Sequence, residues 1–176
     1  MFRMTNIISF MGKTPKIGED VYIDPSARII GDVILKKGCS VWPMAVLRAD
    51  SDRIVIEEEA AILDKVLIES PGPNPLIVGR RALVSHGAIL HGCTVEERSL
   101  VGIGAIVLDG AVVGTGSIVG AGSVVSPNTI IPPGSLVLGI PGKVIRPLRP
   151  EEVEKIAAQV EEVKEKARQY RIGLKE

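Results

Sequence analysis

The chain reads as an all-β solenoid carrying one C-terminal helix, and three observations lead there. Every sixth residue from Ile77 to Val137 is aliphatic: Ile77, Leu83, Ile89, Val95, Val101, Val107, Val113, Val119, Val125, Ile131 and Val137. Earlier runs keep the same period through Ile17, Ile23, Ile29, Leu35, Val41 and Leu47, then through Ile56, Ile62 and Ile68. Second, a small residue stands two positions before most of these anchors, as at Ala27, Cys39, Ala45, Gly87, Cys93, Ser99, Ala105, Ala111, Ser117, Ser123 and Ser135. Third, the period vanishes after Pro141-Gly142 and spacings of three and four replace it.

A period of six fits neither the 3.6 of a helix nor a simple two-residue alternation. It fits a triangular prism, in which each flat face needs one large inward side chain and each tight corner one small residue. Three faces make a coil, and coils stack at the strand spacing of roughly 4.8 Å. Two interruptions stand out. One lies between Leu47 and Ile56 and holds Arg48, Asp50, Asp52 and Arg53; the other, Glu69 to Pro75, is rich in proline. Both are expected to leave the prism as loops at a corner.

From about Pro150 to Tyr170, Val153, Ile156, Val160, Val163, Ala167 and Tyr170 mark one apolar helical stripe. The stripe is expected to pack along the outside of the prism, with i,i+4 pairs Glu151 to Lys155 and Glu162 to Lys166 on a solvated face. The expected organisation is one domain, with the solenoid over 1–145 and the helical segment over 146–176.

Lys and Arg balance Asp and Glu, so the formal net charge is zero and no broad electrostatic case exists for a nucleic-acid partner. Met1 to Met11 has neither a continuous apolar core nor a small-residue cleavage site, which suggests a cytoplasmic protein without a membrane span. Cys39 and Cys93 both fall in the small-residue slot, on different columns more than two coils apart. They read as packing residues in a reducing compartment.

The chemistry-bearing residues are few. The two histidines, His86 and His91, lie together in Val84-Ser-His-Gly-Ala-Ile-Leu-His-Gly-Cys93. Counting faces stacks Leu47, Ile68 and Ile89 in one column, which brings Arg48, Glu69 and His91 together on successive coils. His86 belongs to the preceding face and points away near another corner. In a symmetric homotrimer, a neighbour's His86 would face this chain's Glu69 and His91. Two imidazoles and a carboxylate form a three-ligand zinc set with a fourth position for water, and a metal so held supplies hydroxide near neutrality.

At these residues the sequence resembles the γ-class carbonic anhydrase family, including its ferripyochelin-binding-like members. The likeness runs through Val41-Trp-Pro-Met-Ala-Val-Leu-Arg-Ala-Asp50, His86-Gly-Ala-Ile-Leu-His-Gly-Cys93, Gly102-Ile-Gly-Ala-Ile-Val-Leu-Asp-Gly110 and Ile131-Pro-Pro-Gly-Ser-Leu-Val-Leu-Gly-Ile-Pro-Gly-Lys143. The resemblance implies a left-handed parallel β-helix of hexapeptide repeats, a homotrimer, and an interface metal, zinc with iron or cobalt as alternatives, that serves reversible hydration of CO2 to bicarbonate. It matches His86 and His91 to two metal ligands donated by different subunits. It also matches Arg48 and Asp50 to a pair associated with the trimer interface and the organisation of the catalytic site. Three departures are visible. Glu69 stands where the family has its third histidine, Leu63 where a glutamine orients the attacking water, and Ala61 where an asparagine stands. Ungapped alignment also puts Val163 at a position often held by a tyrosine. Weak or lost hydration is the expectation these replacements raise. Two alternatives stay open: a catalytically degenerate assembly protein, and a hexapeptide acyltransferase using a histidine as general base.

Overall fold

The computed structural model describes residues 6–173; the beginning of the Met1 to Met11 segment and the last three residues of the 146–176 segment lie outside it. Short parallel strands wind into a β-solenoid of about seven turns, closed by one C-terminal helix. The first face stacks Ile7–Ile8, the start of Arg28–Leu35, the start of Val46–Ile56, Leu67–Glu69, Ile89–His91, Ile106–Val107 and Val124–Val125. The second stacks Lys16–Ile17, the ends of the same two long strands, Leu76–Val78, Thr94–Val95, Val112–Val113 and Ile130–Ile131. The third stacks Tyr22–Ile23, Ser40–Val41, Ala61–Ile62, Leu83–Val84, Leu100–Val101, Ile118–Val119 and Ser135–Leu138.

The core is the stack of inward aliphatics, with Ile29, Leu47, Ile68, Leu90, Val107 and Val125 filling the first face, all fully buried. Stacked coils place like side chains over one another at strand spacing, so each anchor is covered above and below by its equivalents. Cys39 and Cys93 occupy the small corner slots as expected; both are free and buried, and burial pushes each thiol up to about 12.

The inward register differs from the simple period at several positions. At Ile77, Leu83 and Ile89 the residue that enters the core is the next one, Val78, Val84 or Leu90. Ile77 and Ile89 lie half-buried on the outer surface, and Leu83 is buried beneath the helix instead. Both members of each pair are aliphatic, so hydrophobic spacing alone could not separate them. The count realigns because Leu90 and Val95 are successive anchors with one residue fewer between them than elsewhere. The small slot before Leu90 is consequently Ala88, while Gly87 turns the corner at φ 66°. Ile17, at the open end of the stack, is 40% exposed rather than inward.

The first interruption is not a loop. Val46–Ile56 runs as one strand around the corner, pairing with Arg28–Leu35 on both sides of a register shift that absorbs Asp50 to Arg53. The irregularity is held by Arg53, whose guanidinium reaches Asp32 at 3.1 and 3.2 Å. Gly31 makes the crossing possible: its φ is 79°, and a Cβ there would lie 2.1 Å from the Ala49 carbonyl oxygen. The second interruption does leave the prism, as the turn between Leu67–Glu69 and Leu76–Val78.

After the last coil the chain folds back as an antiparallel strand, Lys143–Pro147, against Ser135–Leu138. The helix, Pro150–Gly173, follows. Proline at its first position and Glu151 and Glu152 in its first turn suit an N-terminus. Ile156, Val160 and Ala167 bury against Tyr22, Trp42, Ala61, Leu63 and Leu83 of the third face. Val153 and Tyr170 stay largely exposed, although the Tyr170 ring rests 5.5 Å from Trp42. Glu162 and Lys166 pair at 2.6 Å, whereas Glu151 pairs with Arg149 rather than Lys155.

The helix is also fixed by charges that the spacing suggested were merely solvated. Lys164 reaches Glu59 at 2.7 Å, Arg171 reaches Asp20 at 2.6 Å, and Arg81 bridges Glu59 and Glu161. Asp20, Glu59 and Arg81 occupy left-handed corner positions, φ 58°, 57° and 57°. Glycine fills such positions without strain, and a side chain there costs about 1–2 kcal/mol. At this corner the side chains carry the helix.

Candidate active site

The outer surface of the first face carries an apolar stripe, Val46, Leu67, Ile89, Ile106 and Val124, each in register with the next. The chemistry-bearing residues flank it. Where the chain leaves this face, Arg48 pairs with Glu69 and Glu69 with His91 across three consecutive strands. Arg48 therefore reaches both Asp50, at 2.5 Å, and Glu69 Oε1, at 2.6 Å. The other carboxylate oxygen of Glu69 lies 4.0 Å from His91 Nε2. The column expected from the face count is present, anchored by Leu90 instead of Ile89.

Asp50 and Glu69 together hold Arg48 firmly protonated, with the Asp50 hydrogen bond the largest cause. The opposite ring nitrogen of His91, Nδ1, lies 2.8 Å from Asp109 Oδ2. Asp109 went unnoticed in the sequence, yet it stands eighteen residues after His91, one regular coil further on. The ruler that found Glu69 would have found it.

Where the chain enters the same face, the arrangement is sparser. His86 sits on the corner with its Nδ1 3.0 Å from Asp64, and the pair is exposed, 52% and 37%. Above and below it the corner turns expose Met44 and Ile103. His86 thus lies across the apolar stripe from Glu69 and His91, and among the described residues no group of three or more His, Cys, Asp or Glu within one chain is arranged to hold a metal.

Ala61 and Leu63 sit on the adjoining third face, 3% and 4% exposed, inside the apolar cluster beneath the helix, with Val163 packed against it. Leu63 directly precedes Asp64, so the hydrocarbon wall reaches the His86 corner. No amide or hydroxyl from positions 61, 63 or 163 is presented there.

The donor set suits a metal. Each imidazole engages a carboxylate through Nδ1, which leaves Nε2 as the nitrogen that would ligate, and Glu69 keeps one oxygen clear of Arg48. The three donors meet only if a second copy supplies the missing edge.

Parallel coils, left-handed corner residues and a packed terminal helix define a hexapeptide-repeat protein. The model of the bacterial transferase hexapeptide family (six repeats) matches residues 14–49. A probable carbonic anhydrase of Methanocaldococcus jannaschii is 48% identical over 140 residues, covering 80% of this chain and 88% of that protein. The mitochondrial gamma carbonic anhydrase 2 of Arabidopsis thaliana is 39% identical over 157 residues; the match covers 86% of this chain but 56% of the plant protein. A Bacillus cereus structure, described provisionally as an acetyltransferase, superposes with TM-score 0.92 at 35% identity, covering 93% of this chain and 95% of that one. The chain belongs to the γ-class carbonic anhydrase family. No helix among the described residues is long and apolar enough to cross a membrane.

Proposed function

We propose that the protein is a homotrimeric carbonic anhydrase of the γ class, with a metal held between subunits by Glu69 and His91 of one chain and His86 of the next. The observation that carries this reading is the division of donors across one face. Glu69 and His91 are in register at one edge of an apolar stripe, and His86 stands at the other. Around a threefold axis the leaving edge of one subunit meets the entering edge of its neighbour, and the stripe supplies the buried contact.

The chain's own residues have distinct tasks. Arg48, fixed by Asp50, holds one oxygen of Glu69 and leaves the other for the metal. A zinc ion in such a set supplies Lewis acidity and a nucleophile near neutrality; iron or cobalt suits the same donors. Leu63 and Val163 keep the adjoining wall dry and offer no hydrogen bond to the attacking water. We therefore expect CO2 hydration that is slower, by roughly 10- to 100-fold, than where such groups are polar.

Metal analysis and stopped-flow CO2 hydration on untagged protein reconstituted with zinc, iron or cobalt test this. One metal per subunit and measurable hydration, both lost in Glu69→Ala, are expected. Absence of stoichiometric metal would remove the enzyme and leave the assembly role. The acyltransferase reading draws support from the Bacillus cereus structure. Calorimetry with acetyl-CoA separates it, since binding at millimolar coenzyme would favour it over hydration.

A further inference from the structure

We infer that Asp109 is a positioning residue for His91: it fixes the proton on Nδ1 and so presents Nε2 as a bare donor toward Glu69. The inference rests on the reading of His91 as a metal ligand. Asp109 Oδ2 lies 2.8 Å from His91 Nδ1. A carboxylate only accepts hydrogen bonds, so the imidazole nitrogen facing it must donate, and the lone pair is left on Nε2. Nε2 is the nitrogen that looks toward Glu69 Oε2, 4.0 Å away.

The surroundings are shaped for this contact. Gly92, next to His91, has φ 56°, and a Cβ there would lie 2.7 Å from Asp109 Oδ1 and 3.3 Å from the Pro71 ring. The glycine leaves room for the carboxylate, while Pro71, from the inserted turn after Glu69, closes the other side. The backbone pins the register, because Gly110 N–H donates to the Gly92 carbonyl at 2.8 Å and Asn128 N–H to the Asp109 carbonyl at 2.8 Å. The backbone frame thus sets the half-exposed Asp109 side chain one coil from His91, within hydrogen-bond reach of its Nδ1. Carboxylates behind ligating histidines typically contribute about 10- to 100-fold to metal affinity.

The test uses untagged, 15N-labelled full-length protein, which contains only His86 and His91. In metal-free wild type, observed with the imidazoles in their neutral form, His91 should show a protonated Nδ1 and an unprotonated Nε2. Asp109→Ala should move the His91 signals toward the other tautomer, lower Zn2+ affinity about 10- to 100-fold and leave His86 unchanged. Asp109→Asn, whose side-chain oxygen still accepts, should restore the tautomer and most of the affinity. If Asp109→Ala leaves the His91 tautomer unchanged, the assignment is overturned whatever the metal does. If wild type binds no zinc yet the tautomer responds, the positioning stands and the ligand role of His91 falls.

Discussion

The two edges of the first face are built from the same coils and are organised in opposite ways. At the leaving edge, Asp50, Arg48, Glu69, His91 and Asp109 form a ladder over successive coils, so each of these residues has a charged partner from its own chain. At the entering edge, the His86 side chain has Asp64 as its one charged partner among the described residues, is half exposed, and lies on a corner that also exposes Ile103 on the next coil and Met44 two coils back. Residue type explains the contrast. Both edges stack coil upon coil, but the corner equivalents of His86 are Pro43, Asp64 and Ile103, of which only Asp64 offers it a charged partner. On the proposed reading, the first edge is a half-site organised by folding, and the second would be completed by another copy.

The largest expected effect comes from breaking the surface between the edges. Ile89→Asp places a charge in the apolar stripe without touching the core, where Leu90 is the anchor. We expect association weakened by on the order of 100-fold or more, from several kcal/mol of buried charge repulsion around the axis. Light scattering should show monomers, and metal content should fall with the trimer. A smaller effect sharpens the role of the adjoining wall. Leu63→Gln should raise CO2 hydration by about 10-fold, while lowering stability by about 1–3 kcal/mol because an amide enters an apolar cluster. Stability gained and hydration unchanged would count against the dry-wall explanation.

The smallest effect concerns the helix that covers that wall. The Lys164 hydrogen bond, opposed by burial and aided by Arg81, holds the Glu59 carboxyl below its ordinary value. A carboxylate whose folded-state pKa is depressed contributes stability above its unfolded value, about 4.3, and loses it as pH falls through the folded value. Glu59→Gln should therefore melt earlier than wild type at pH 7, by under about 1 kcal/mol. The difference should fade as the pH drops below the ordinary glutamate range. A difference that persists in acid would assign the effect to packing.

The solenoid was legible because an inward position every six residues is a property of sequence alone. Its local phase was not, since Leu83-Val84 and Ile89-Leu90 offer two aliphatics where one must face in. Covering by the helix makes both acceptable for Leu83 and Val84. The Arg48, Glu69 and His91 column survived the one-residue error because all three follow their anchors together. Asp50 to Arg53 looked like a loop because an insertion reads the same whether it leaves the sheet or bends within it; Gly31 on the opposing strand decides the matter through a close backbone approach. Asp109 was accessible by counting one more coil. The ties from Asp20, Glu59 and Arg81 to the helix were not, because they depend on how a helix lies across corners distant in sequence.

Mixing two defective subunits tests most directly whether the metal site is divided between chains. His86→Ala keeps the leaving edge and Glu69→Ala keeps the entering edge, so neither homotrimer should hold zinc. Unfolding and refolding them together at equal amounts gives mixed trimers in which one interface in three pairs an intact His86 with an intact Glu69. About a quarter of wild-type zinc should then return, by counting over a threefold ring. If the mixture binds no more zinc than its parents while forming mixed trimers, or if either parent alone keeps its full zinc, the shared site is contradicted.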